Sequence, residues 1–351
     1  MRTRSDRSRT FFALLAALAL LVAACGDDGG GTGAEGERKI IRFAFAPDPV
    51  WDYMNDTGMI VEWEEEFNTR IVTSTTWDEF TFFAGGHGDI VSMGTHEIPV
   101  LEGETDIETV SIGKYNYLRD FMATRGDEPY ETLADVPKGS KICVASAVSA
   151  TLFWSIAADK LHGLDFRVGG GDFDLIVNDH FLNPDLMARG ECEAAIVIPE
   201  AAAPLLRTGE LKPMYDGEMP FQLYQELADT EHLGIMSNLF TATAEWYDAN
   251  PEDAAAFLDL WQRGIDAWRE NQEEIIRTYP QHFAVEEEAD VEWIIDFMTE
   301  PGNDWFVDDV YLDDEWIEEE KEFYELMDEA GLIEEGAPKD PRFEPVEPPS
   351  S

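Results

Sequence analysis

A chain of 351 residues exceeds most single domains and is long enough to bury most of its apolar surface in a core. Its 44% hydrophobic content, with 10 Trp and 21 Phe, excludes wholesale disorder. With 74 acidic against 24 basic residues, the formal net charge of -50 opposes association with nucleic acid or anionic lipid. Three cysteines with no CxxC or Cys/His cluster exclude a disulfide scaffold and give no structural zinc pattern.

The N-terminus reads as an export signal. Arg2, Arg4, Arg7 and Arg9 precede a 14-residue run, 11–24, without a polar side chain. A spanning helix needs about 20 apolar residues, whereas signal sequences use roughly 7 to 15 behind a basic start. Leu21-Val22-Ala23-Ala24-Cys25-Gly26 resembles the lipobox of bacterial lipoproteins. That resemblance implies cleavage after residue 24 and diacylation of Cys25. Residues 26–38 are Gly-rich and have nothing to bury, so 25–38 is expected to be a flexible tether spanning roughly 20 Å.

From residue 39 short β-rich runs alternate with helical patterns: strand 40–45, helix 51–67, strand 71–73, helix 78–83 and strand 89–93. A second set follows, with strand 141–145, helix 149–162, strand 173–177, helix 184–189 and strand 194–198. Such alternation predicts an α/β fold with two mainly parallel sheets flanked by helices. Gly169–Gly171 precedes a strand and reads as a turn. Beyond Asn250 the chain turns helical, with Asn250 as a cap, Pro251 in the first turn, and Phe257, Leu258, Trp261, Ile265 and Trp268 on one packing face. A last amphipathic helix carries Leu312, Trp316, Phe323, Met327 and Ala330 among many acids, with Glu318 to Glu320 on its solvated side. The Pro-rich end, 338–351, is expected to be disordered.

In open α/β sheets ligands sit beyond the carboxyl ends of the strands. The candidates there are Asp48 and Trp51 after the first strand, Thr76 and Trp77 after the second, and Thr95 and His96 after the third. Tyr115 and Asn116 lie on the way to the second set. Ser146, Ser149 and Thr151 stand at a helix entry whose hydroxyls and N–H groups suit a polar or anionic group, or simply cap the helix. His180 and Glu200 follow later strands. Lys114 is the fixed positive charge nearest these loops. GxSxG, GxxxxGK[ST], HExxH and GxGxxG are all missing, and the six histidines have no metal-ligand spacing. No catalytic residue, cofactor or metal is therefore expected. Cys143 and Cys192 are free to pair in an oxidising compartment, but the sequence fixes no distance between them.

Glu131-Thr132-Leu133-Ala134-Asp135-Val136-Pro137-Lys138-Gly139-Ser140-Lys141-Ile142-Cys143-Val144-Ala145, followed by the Ser/Ala-rich Ser146 to Thr151, resembles solute-binding proteins of ABC importers. The similarity is to their nitrate, sulfonate, taurine and thiamine-precursor branch. Pro184 to Ala195 and Asn250-Pro251-Glu252 continue the same order of phrases. This resemblance implies a bilobal, type II periplasmic-binding-protein fold, with lobe 1 from 39–118 and 240–337 and lobe 2 from 119–239. The chain crosses between lobes near 110–124 and 233–242, and ligand binds between them. It further implies a monomer that captures a small polar nitrogen- or sulfur-containing compound, delivers it to permease and ATPase subunits, and meets the membrane only through its lipid. An enzyme resembling the thiamine-pyrimidine synthase on the same fold and a structural acidic surface lipoprotein are the alternatives. The synthase's Cys-rich iron segment has no counterpart in this sequence. Replacement Cys25→Ala should release the protein from the membrane fraction. Retention of the mutant, with no acyl mass on the wild type, would refute the anchor.

Overall fold

The computed structural model describes residues 38–300 and 302–349. The expected signal segment 1–24, the lipidated Cys25 and the tether to residue 37 lie outside the described residues. In chain order the strands are β1 (Lys39–Phe45), β2 (Thr69–Thr75), β3 (Ile90–Met93), β4 (Thr109–Tyr117), β5 (Phe121–Arg125) and β6 (Lys141–Val144). They continue with β7 (Phe166–Arg167), β8 (Gly170–Gly171), β9 (Asp174–Val177), β10 (Ala194–Val197), β11 (Leu211–Pro213) and β12 (Met236–Thr243).

One sheet has the order β2-β1-β3-β12-β4 and the other β11-β5-β10-β6-β9. In the first, β1 runs parallel to β2 and β3, while β12 is antiparallel to both of its neighbours. In the second, β6 runs parallel to β9 and β10, while β5 is antiparallel to both of its neighbours. Each sheet thus contains one reversed strand. Both reversed strands follow a crossing: residues 118–120 carry the chain from β4 to β5, and residues 229–235 return it to β12. That return strand pairs with Tyr117 from Met236 onward, four residues before the boundary expected at 240.

Local chemistry explains most departures from the expected elements. The helix expected over 51–67 is two, Pro49–Asp56 and Met59–Glu66, because Gly58 takes a left-handed φ of 84° between them. Of the expected Gly-rich turn only Gly169 lies at the tip of the small β7–β8 hairpin, while Gly170 and Gly171 form β8 and pair with Arg167 and Phe166. Asn250 does not cap the helix Pro251–Thr278 with its side chain. Its amide donates instead to Trp246 O at 2.8 Å, closing the preceding helix. That long helix buries the predicted face of Phe257, Leu258, Trp261, Ile265 and Trp268.

Packing also orders the C-terminal residues 338–349, where composition predicted disorder. Phe343 and Val346 are buried, Ser111 N donates to Arg342 O at 2.9 Å, and Glu344 N donates to Ser111 O at 3.0 Å. Residues 305–310 cover the rest of β4's free edge, with Lys114 N donating to Val310 O and Tyr117 N to Trp305 O. The close approach requires Gly113, where a Cβ would stand 2.5 Å from Leu258 Cδ2 and 3.0 Å from Val310 O. An exposed sheet edge is a template for wrong pairing, and both covering segments remove it.

Cys143 on β6 and Cys192 just before β10 form a disulfide with Cα atoms 5.8 Å apart. The pairing follows from adjacency: Cys143 stands in register with Ala195. It closes a loop of separation 49 inside a buried cluster with Phe121, Met187 and Leu211. The Cys143→Ala/Cys192→Ala double mutant should lose about 2–4 kcal/mol of unfolding free energy. Denaturant titration checks this, and a change below about 1 kcal/mol would contradict a stabilising role for the bridge.

Candidate functional site

A narrow pocket opens between the two sheets. From β1 and the loop after it come Phe45, Pro47 and Asp48; from β4 and the first crossing come Tyr115, Asn116 and Arg119. Asn238 and Phe240 enter from β12, Trp77 from the loop after β2, and Glu200 from beyond β10 of the other sheet. Trp261, Trp305 and Phe306 complete its apolar walls.

Asp48 is fixed by three donors. It caps the helix Pro49–Asp56, accepting from Val50 N at 2.8 Å and Trp51 N at 3.0 Å, and it accepts from the Tyr115 hydroxyl at 2.9 Å. Burial pushes its carboxyl above the usual range while those bonds pull it back. Arg119 lies opposite, with Nε donating to Glu200 Oε1 at 2.8 Å and the guanidinium 5.2 Å from the Trp305 ring centre. Glu200 sits in the first turn of the helix Pro199–Thr208, where a carboxylate is favoured by the helix dipole. At the mouth, Trp77 meets Phe181 edge-on across the two sheets, with ring centres 5.1 Å apart.

Of the residues expected from sequence, Asp48, Trp77, Tyr115, Asn116 and Glu200 line this one pocket. His180 stands beside it, 3.8 Å from Asp120 Oδ1 and 6.5 Å between ring centres from Trp77. Trp51 lies outside the lining and packs on Phe45 and Trp261 at 5.1 and 5.6 Å. Thr76 accepts from Asp78 N at 3.0 Å to shape its turn. Thr95 is buried away from the pocket, donating to Glu320. His96 is buried with Nδ1 unpartnered, and desolvation holds its pKa down to about 3, so it is neutral. At the second helix entry, Ser146 Oγ takes the Val148 and Ser149 N–H groups at 3.1 and 2.9 Å, and Thr151 donates to Ser146 O at 2.6 Å. Those groups therefore serve their own turn; Ser149 Oγ has no partner.

Lys114, taken as the positive charge near the loops, instead lies 3.9 Å from Asp309 and over Trp316. The pocket's cation is Arg119, which the sequence reading missed. Its one signal was an arginine in the expected crossing of a chain poor in bases. Asn238, Trp305 and Phe306 gave no signal, because pairing with β4 and covering of its edge bring them in. Among the described residues no group of three or more His, Cys, Asp or Glu is placed to hold a metal, and no helix is long and apolar enough to cross a membrane.

The fold and the cleft site together define a periplasmic-binding-protein fold. Solved structures sharing it include the alkanesulfonate-binding protein SsuA from Xanthomonas axonopodis pv. citri bound to MOPS, at 14% identity and TM-score 0.68, covering 88% of this chain and 99% of that one. The periplasmic aliphatic sulphonate binding protein SsuA from Escherichia coli matches at 13% identity and TM-score 0.66, covering 89% and 94%. The Candida albicans CA3427 gene product, described as having the generic periplasmic binding protein fold, matches at 12% and 0.61, covering 89% and 98%. No protein-family model and no curated protein sequence matches the chain.

Two raised carboxyls and one raised histidine outside the pocket lining give a pH dependence with a definite sign. Burial, then Asp120 and Asp78, push Glu97 up to about 7; burial, with Glu97 and Asp78, pushes Glu79 up to about 8. His232 is raised because Glu320 and Glu319 outweigh its burial. Raised carboxyls favour the protonated folded state, and a raised histidine loses its contribution as pH climbs through its folded value, so both act in one direction. His96 and His162, both lowered by burial, oppose them only below the ordinary 6.5. Stability should therefore fall between about pH 6.5 and pH 8, and Glu97→Gln should flatten the fall. Melting temperatures across that window test it; a rise with pH would refute the assignment.

Proposed function

We propose that the protein is an extracytoplasmic solute-binding lipoprotein of an ABC importer. It is a monomer tethered through Cys25, capturing a small polar nitrogen- or sulfur-containing organic compound and passing it to a permease and ATPase. Its lobes are 39–118 with 240–337, and 119–239, hinged at the two crossings. The observation that carries the reading is the pocket itself: strand-end residues of one sheet, Arg119 from a crossing, and Glu200 of the other sheet surround one space. A ligand touching both sides binds the closed arrangement better and shifts the population toward it. Trp77 against Phe181 is the contact that such closure makes. The sulfonate-binding proteins that share the fold support capture of a small solute, and the N-terminal sequence supports export and anchoring.

Mass spectrometry of small molecules released from purified protein should identify a co-purifying solute. Adding that solute to ligand-free protein should reduce the radius of gyration in solution scattering, and Trp77→Ala should weaken its calorimetric affinity about tenfold or more. Turnover of the solute by pure protein, or an unchanged radius at saturation, would overturn this function.

A further inference from the structure

Two acceptors in the pocket have no hydrogen-bond partner: Glu200 Oε2 and Asn116 Oδ1. Both residues are 4% exposed, and a buried polar atom left unpaired is costly enough that native structures rarely keep one without a reason. A third orphan of the lining is a donor, Trp261 Nε1.

The charges point the same way. Arg119 is paired, since its Nε and Nη2 both donate to Glu200 Oε1, and its guanidinium carbon lies 5.2 Å from the Trp305 ring centre. A sulfonate or carboxylate entering beside it would meet the free Oε2 of Glu200, a like charge, and a guanidinium whose charge Glu200 already offsets. Asp48 adds a second carboxyl to the lining, and Lys114 is turned to Asp309 and Trp316. Trp77 remains 43% exposed at the mouth, offering a flat face that favours a cation or a ring.

We propose that the pocket takes a small, flat organic cation whose N–H groups donate to Glu200 Oε2 and Asn116 Oδ1, and which carries one acceptor for Trp261 Nε1. Amidinium and guanidinium compounds bearing a hydroxyl or ring nitrogen have this chemistry. The assignment rests on the solute-binding reading but narrows it, separating this pocket from those of the sulfonate-binding proteins that share the fold.

Three para-substituted phenols of similar length test it: 4-hydroxybenzamidine, 4-hydroxybenzamide and 4-hydroxybenzenesulfonate, titrated calorimetrically into the mature full chain stripped of bound solute. The expected order of affinity is cation, then neutral amide, then anion, with the cation ahead of the anion by tenfold or more. Glu200→Gln should abolish that preference, and Asn116→Leu should weaken the cation while leaving the order intact. If Glu200→Gln fails to fold because Arg119 loses its partner, the wild-type order and Asn116→Leu decide. Preference for the sulfonate overturns the cation assignment while leaving the solute-binding reading standing. Silence of all three probes also overturns it, and the solute-binding reading then falls only if no small molecule is released from the purified protein.

Discussion

The ring of Trp261 lies between 4.6 and 6.0 Å, centre to centre, from Phe43, Phe45, Trp51, Tyr115 and Phe240. This cluster joins β1, β4 and β12 to the long helix Pro251–Thr278, which arrives late in the sequence. Each such ring buries roughly 150–250 Å², and paired rings add about 0.5–1.5 kcal/mol beyond burial. All of these rings except Trp51 line the pocket, so the position of Asp48 and Tyr115 depends on a core that also holds the first sheet together.

Within that lining the Arg119–Glu200 pair sets the site's electrical character. Both side chains are nearly buried, at 10% and 6% exposure, so removing one partner would leave the other an uncompensated charge costing about 3–5 kcal/mol. The pair's net contribution to stability is small by comparison, because desolvation offsets most of the attraction. Its place at the first crossing, facing the start of a helix in the other sheet's layer, fits a role in positioning and recognition.

The second crossing is held differently. His232 bonds Glu319 at 3.1 Å and Glu320 at 2.9 Å on the helix Asp314–Glu329. Glu320 also accepts from Met236 N at 3.0 Å and from Thr95. A run of acids expected to be solvated thus contains a fully buried member, because helical spacing turns Glu320 inward while Glu318 stays exposed. The acidic helix clamps the return strand to the sheet.

Alternation of β-rich and helical runs, the apolar stripe from Phe257 to Trp268, and the ordered phrases around 131–151 and 184–195 made the α/β class and bilobal plan legible in the sequence. These are local periodicities, which a chain displays whatever its neighbours do. Strand ends also named five residues of the pocket lining, because the connectivity of such sheets brings their carboxyl ends together. Only the tertiary structure decided that Arg119 rather than Lys114 faces the pocket, that Trp51 packs beneath it, and that Cys143 meets Cys192. It alone ordered residues 338–349 along β4. Each of these rests on which distant strand lies alongside, a pairing set by the summed burial of the whole core and carried by no single stretch of sequence.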